Sequence, residues 1–319
     1  QFGPKKPQGV ARSFARFPAL LEMLLLGKGV KTEGRERVFR KLSFFLSLSA
    51  LIYFSMHSYV LSNTGAERER IYQDAIRSRN LRLVETQNIE VFQKTPEIWF
   101  LYEPLWACPD IELVGSFHDG VKWVCGLRRM RKGCIIYSFG SNGDDQFESD
   151  ILNKTSCEVF IFDPTMSPEQ EKMLSPSVHK KFRGIGLAKY DGMMEIGGIE
   201  REVRTLRKIM KELKHERIDI LKVDIEGAEY DVFEEMFSSG FPDIDQILVE
   251  VHAFTHLQQL NEDGSVVQNP SELRMRLDRF FEVLETAGFR LFHKEINVLW
   301  SHPNYLNMGV EYAFIRVSA

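Results

Sequence analysis

Between Cys134 and Val317 short apolar runs alternate with segments of mixed polarity. The runs are CIIYSF (134–139), CEVFIFD (157–163), FRGIGLA (182–188), IDILKVD (218–224), QILVEVH (246–252), FRLFHKEI (289–296) and VEYAFIRV (310–317). Helix candidates fall between them, near 144–153, 200–214, 228–238 and 271–287. Continuous β-branched and aromatic runs of this length suit strands covered on both faces. Strands alternating with helices predict right-handed βαβ units and a mostly parallel sheet of seven strands. The last two runs are joined by SHPNYLNMG, without a helix, and are expected to pair as an antiparallel hairpin. No internal repeat interrupts the pattern.

Upstream the pattern differs. Leu42 to Leu61 (LSFFLSLSALIYFSMHSYVL) carries no charge over twenty positions, the length of a membrane-crossing helix. Six Lys/Arg lie between Gly27 and Lys41, against Arg68 and Arg70 from Ser62 to Ile76. That asymmetry predicts a cytosolic amino terminus and a lumenal remainder, a single-pass type II membrane protein of the Golgi or endoplasmic reticulum. A signal peptide cleaved near Ala66, giving a secreted form, and a buried core helix are the competing readings. The expected organisation is a partly disordered tail (1–41), an anchor (42–61), a stem and lead-in (62–107) and a globular domain (108–319). Within the stem, Glu67 to Lys94 reads as a charged helix.

Composition narrows the class. Of 319 residues 44% are hydrophobic and 27% charged, which excludes wholesale disorder. A formal net charge of −4 argues against a nucleic-acid partner. The chain starts at Gln1, and Met23 is the candidate initiator. Cys108, Cys125, Cys134 and Cys157 contain no CxxC pair, so they read as lumenal cysteines rather than a zinc site. Cys108–Cys125 is the candidate bridge. Cys134 and Cys157 open neighbouring strands, bonded or packed as buried thiols, and packed thiols are the expectation. Asn153-Lys154-Thr155 is a glycosylation sequon, usable in a lumenal domain.

Four strand ends carry the candidate chemistry. After the first strand comes Ser138-Phe139-Gly140-Ser141-Asn142-Gly143, a glycine-bearing turn that lets a ligand approach the backbone. It lacks the full GxGxxG spacing, so a plain turn competes with that reading. Asp163 ends the next strand, where a carboxylate can accept hydrogen bonds from ribose hydroxyls; beside Pro164 it also fits a turn former. Together the pair points to a nucleoside-type cofactor. LKVDIEGAEY (221–230) sets Asp224 and Glu226 at the carboxyl end of the fourth strand, the ligand-binding edge of open α/β sheets. Glu229 is read as complementing the dipole of the following helix. In VEVH, Glu250 and His252 share one strand face. A neutral imidazole there could take a proton from a hydroxyl; a hydrogen-bonded structural histidine is an equal alternative.

YSFGSNG, FDPT, IGLA, LKVDIEGAEYDVF, ILVEVHAF and GFRLFHKE, in that order, resemble the methyltransferase domain of the methyltransferase-like protein 24 family. That group is itself similar to FkbM-type methyltransferases. The resemblance runs from Trp123 to Val317 and implies a Rossmann-like methyltransferase fold. It implies S-adenosylmethionine as methyl donor, with Gly140, Ser141, Asn142, Gly143 and Asp163 lining its cleft and Asp224 near the donor. Since many FkbM-type enzymes methylate sugar hydroxyls, it implies O-methylation of a glycan or small-molecule acceptor. Asp224, Glu250 and His252 are the expected catalytic residues. His252 or Asp224 would take the proton, or Asp224, Glu250 and His252 would hold a divalent metal. A catalytically silent binding protein and a lumenal glycosyltransferase, whose acidic motif Asp224-Ile225-Glu226 imitates, are the rival classes.

Overall fold

The computed structural model describes residues 65–85, 98–115, 121–254, 270–297 and 309–317. The expected anchor at 42–61 lies outside them. Among the described residues no helix is long and apolar enough to cross a membrane. The chain divides into two compact units, Gln1–Ile71 and Tyr72–Ala319.

The second unit is built on one seven-stranded sheet. Its strands are β3 (Ile135–Phe139), β4 (Glu158–Phe162), β5 (Phe182–Arg183), β9 (Arg217–Val223), β10 (Asp243–His252), β11 (Phe289–Ile296) and β12 (Gly309–Arg316). Their spatial order is β5-β4-β3-β9-β10-β12-β11. β3 pairs parallel with β4 and β9, and β9 with β10; β12 runs antiparallel to both neighbours. The expected parallel sheet with a terminal antiparallel pair is therefore what forms. The order reverses between β3 and β9, which opens a crevice at their carboxyl ends.

Both faces are covered, as the apolar runs require. On one face Tyr137, Phe139, Phe162, Leu221 and Val249 pack against α5 (Leu206–Leu213), α6 (Glu229–Ser238) and α7 (Pro270–Thr286). On the other, Ile136, Val159, Ile161, Ile220 and Leu248 pack against α2 (Gln146–Lys154) and α4 (Pro176–His179). Alternation along β3 decides the split, with Tyr137 to one side and Ile136 to the other. Each fully buried side chain of this size contributes about 1.5–3 kcal/mol. Ser167 starts the short α3 (Pro168–Glu171) with a reciprocal capping box to Gln170.

Three elements depart from expectation. The run 182–188 is not one strand: after β5, the chain leaves the sheet and Gly186–Leu187 (β6) joins a second sheet with β7 (Gly192–Ile196) and β8 (Ile199–Arg204). A side chain at Gly186 would lie 2.9 Å from Val203, so only glycine permits that closeness. The helix expected over 200–214 begins at Leu206, because Gly197 and Gly198 hold φ of 60° and 77° and turn a tight β7–β8 hairpin. A two-stranded hairpin, β1 (Ile111–Val114) with β2 (Lys122–Cys125), occupies the loop-like lead-in and lies against β10 and β12.

The expected Cys108–Cys125 bridge is present. Cys134 and Cys157 are also bonded, which corrects the packed-thiol expectation. Parallel pairing sets their Cα atoms 4.3 Å apart at the amino ends of β3 and β4, within disulfide reach. The charged helix expected in the stem is α1 (Gly65–Glu85). In the second unit its Tyr72 is buried against Trp106, and Arg79 makes a two-point bond to Glu285 at 2.6 and 2.8 Å. Asn153 of the sequon is exposed in the last turn of α2.

Candidate functional site

Two turns meet at the crevice. Phe139 ends β3 by accepting from Asp224 N at 3.0 Å, and Gly140 N donates to Phe162 O at 3.0 Å, so three strand ends are tied together. Gly140, Asn142 and Gly143 all adopt left-handed φ (78°, 48° and 84°), which folds the turn back on itself. Asp163 holds that fold. Its Oδ2 accepts from Ser141 N (3.0 Å) and Asn142 N (2.9 Å), and its Oδ1 from Thr165 N (2.8 Å) and Thr165 Oγ1 (2.6 Å). Four donors saturate a carboxylate. Asp163 is thus a positioning residue for the glycine turn, and this corrects the expectation that its oxygens stand open to a ribose.

Lys222, near the end of β9, donates to Gly140 O at 2.6 Å and braces the turn from beneath. Beside it Glu148 of α2, fully buried, is hydrogen-bonded by Ser138. Burial pushes the Glu148 carboxyl up, against the pull of Lys222 and Ser138. Neither residue was singled out by sequence; a lysine amid LKVD was the visible signal.

The turn opens on a cavity of about 710 Å³, in the size range of cofactor sites. Gly140, Ser141, Asn142, Asp163, Asp224, Glu250 and His252 all line it, together with Glu148, Lys222 and Glu226; Gly143 is not on its wall. The β7–β8 hairpin closes one side with Met194, Glu195, Ile196 and Gly197. The missing side chain at Gly140 is what lets the turn lie against Asp224, so the residues present fit a nucleoside-sized ligand held along the backbone.

At the ends of β9 and β10 the carboxylates gather. Glu229, read from sequence as a dipole partner, is fully buried at the start of α6. Its Oε1 accepts from Ile225 N at 3.0 Å and faces His252 Nδ1 at 3.0 Å. His252 Nε2 lies 3.5 Å from Glu226 Oε2 and 4.0 Å from Asp224 Oδ1. Burial alone would pull the imidazole down, but Glu229, Asp224 and Glu250 outweigh it and push it up to about 10. Without a bound cation these carboxylates favour the charged ring, which works against the expected role of His252 as a neutral base.

Glu250 faces Glu311 across the β10–β12 pair, an unfavourable like-charge pairing. Lys122 of the β1–β2 hairpin answers it, forming a buried ion pair with Glu311. Burial works against the Lys122 charge, yet Glu311, Asp224 and Glu250 raise it. Asn297 Nδ2 donates to Glu250 Oε1 at 2.9 Å. Burial first, then Glu311 and Asp224, push Glu250 up to about 8. The trio expected to share a metal is not brought together as such. Among the described residues, the group with metal-ligand spacing is Asp224, Glu229 and His252, and Glu250 is not part of it.

A reversed-order α/β sheet with a terminal antiparallel pair, and a glycine-turn cleft at the reversal, define a Rossmann-like domain of the methyltransferase type. The chain belongs to the family described as "Methyltransferase domain", whose model matches residues 67–316. It is similar to a human protein described as "Probable methyltransferase-like protein 24", 30% identical over 167 residues, covering 51% of this chain and 43% of that one. Its rat counterpart is 29% identical over the same shares. The chain thus spans less than half the length of these curated relatives. Among solved structures it is similar to a Methanococcus jannaschii fibrillarin pre-rRNA processing protein (TM-score 0.37, 12% identity, 67% of this chain and 86% of that one). It is also similar to a methyltransferase FkbM from Methylobacillus flagellatus KT (TM-score 0.34, 13% identity, 57% and 44%).

Proposed function

We propose that this chain is an S-adenosylmethionine-dependent methyltransferase that methylates a hydroxyl of a glycan or related acceptor in the secretory pathway. The observation that carries the reading is the Gly140–Gly143 turn, locked to the end of β4 by Asp163 and opening on the cavity at the sheet reversal. S-adenosylmethionine, when bound, supplies a methyl group on a sulfonium, an electrophile that needs chiefly alignment. The turn backbone, fixed by Asp163 and Lys222, would hold it, with Phe162, Leu187, Ile196 and Ile225 as apolar wall. Asp224 and Glu250 line the same cavity and are the carboxylates that would take the acceptor's proton.

Carboxylates outnumber lysines along the cleft, which disfavours a polyanionic acceptor such as nucleic acid. For the compartment, support comes from two closed disulfides, from the exposed Asn153, and from the uncharged stretch 42–61 with its basic flank.

Calorimetry with S-adenosylhomocysteine and with nucleotide sugars tests the donor. Binding of the former, weakened at least about tenfold in Asp163→Asn where two charge-assisted bonds are lost, is expected. Preference for a nucleotide sugar would overturn it. Labelled donor with a glycan panel tests the acceptor: label on a sugar oxygen supports it, and label on nitrogen or on no glycan refutes it.

A further inference from the structure

We propose that Asp224, Glu229 and His252 bind one divalent cation at the floor of the cleft, where it would meet the acceptor's hydroxyl oxygen. The site deepens the methyltransferase reading, but its test is separate. Three elements converge there: the end of β9, the start of α6 and the end of β10. The ligand atoms lie within 4.8 Å of one another. His252 Nε2 to Asp224 Oδ1 is 4.0 Å and to Glu226 Oε2 is 3.5 Å. Ligands on one ion, bonded at about 2.0–2.2 Å, stand roughly 3–4 Å apart, so small side-chain movements would close the shell.

Two further observations point to a cation. Glu229 is 0% exposed, and its Oε2 has no hydrogen-bond partner. A buried carboxylate oxygen left without a partner is costly, and a metal ion would supply one. The nearby lysines are committed elsewhere, Lys222 to Gly140 O and Lys122 to Glu311. The second feature is the 3.0 Å contact between Glu229 Oε1 and His252 Nδ1, the spacing of two ligands on one ion. One imidazole nitrogen with carboxylate oxygens suits a Mn²⁺- or Mg²⁺-like ion more than a thiophilic one. Such an ion would lower the proton affinity of a hydroxyl bound to it.

The test is Mn²⁺ titration of the full chain followed by electron paramagnetic resonance, with pulsed detection of nitrogen coupling and S-adenosylhomocysteine calorimetry in parallel. One Mn²⁺ site per chain with imidazole nitrogen coupling is expected. His252→Gln should abolish the coupling and weaken Mn²⁺ at least about tenfold, a thermal melt confirming the fold. If Glu229→Gln fails to fold, the wild-type nitrogen signature still decides. No Mn²⁺ site, or a site without nitrogen coupling, overturns the proposal even where S-adenosylhomocysteine binds. A nitrogen-coupled Mn²⁺ without homocysteine-nucleoside binding upholds the cation site and removes the donor reading instead.

Discussion

Gly140 and Asp224 touch backbone to backbone: a methyl group on the Gly140 Cα would lie 1.9 Å from the Asp224 carbonyl oxygen. The glycine turn and the acidic motif are thus one structure, and neither can move without the other. Gly140→Ala, which also strains a φ of 78°, should lower the melting temperature and reduce S-adenosylhomocysteine affinity at least about tenfold. Gly143→Ala shares the φ strain, at 84°, but its nearest neighbour is the Gln170 side chain at 3.3 Å, so it should be milder. Equal effects at the two glycines would show that contact with Asp224 is not what matters.

The buried Lys122–Glu311 pair joins the amino-terminal hairpin to the last strand. Lys122→Met alone leaves Glu311 buried without its partner and should cost about 3–5 kcal/mol. Adding Glu311→Leu should recover most of that loss. Denaturant melts of the two single variants and the double provide the cycle, and simple additivity would mean the pair is not coupled.

Each disulfide closes a short loop, with separations of 17 and 23 residues. Loop-closure entropy sets the contribution of each at about 3 kcal/mol. Cys134→Ser with Cys157→Ser should therefore lower the melting temperature by roughly 6–12 °C. An unchanged melting temperature would show that the bond does not form in solution.

His215 gives the pH dependence a sign. Burial holds its imidazole below the ordinary histidine range, and Nδ1 lies 2.7 Å from the Tyr137 hydroxyl. The unfolded chain therefore binds the proton more readily, and stability rises with pH through the ordinary histidine range of about 6.5. His252, pushed up to about 10, acts oppositely, from the ordinary range of about 6.5 upward to about 10. Melting temperatures from pH 5 to 7 should climb less steeply in His215→Phe than in wild type. A parallel slope would assign the effect to another group.

Sequence revealed what repeats along a strand and missed what depends on the partner strand. Runs such as CEVFIFD and ILVEVH were legible because a strand covered on both faces must be apolar almost throughout. The break at Gly186 was not, since it depends on Val203 standing opposite. The Gly197-Gly198 pair was a hairpin signal hidden under a helix-like run of charges. At the site, Asp224, Glu250 and His252 were visible as polar residues ending apolar strands. Glu229 looked like an ordinary first-turn acid, and only the fold reveals that it is buried against His252. Lys122 lay outside every motif, because its partner Glu311 is supplied by the far end of the chain.

The Cys134–Cys157 bond sits at the amino ends of β3 and β4, and the cleft at their carboxyl ends. The crosslink therefore guards the fold from the side of the sheet remote from ligand. Protein lacking this bond alone, with Cys108–Cys125 kept, would be heat-sensitive yet faithful in the nucleoside pocket, a usable specimen for binding work.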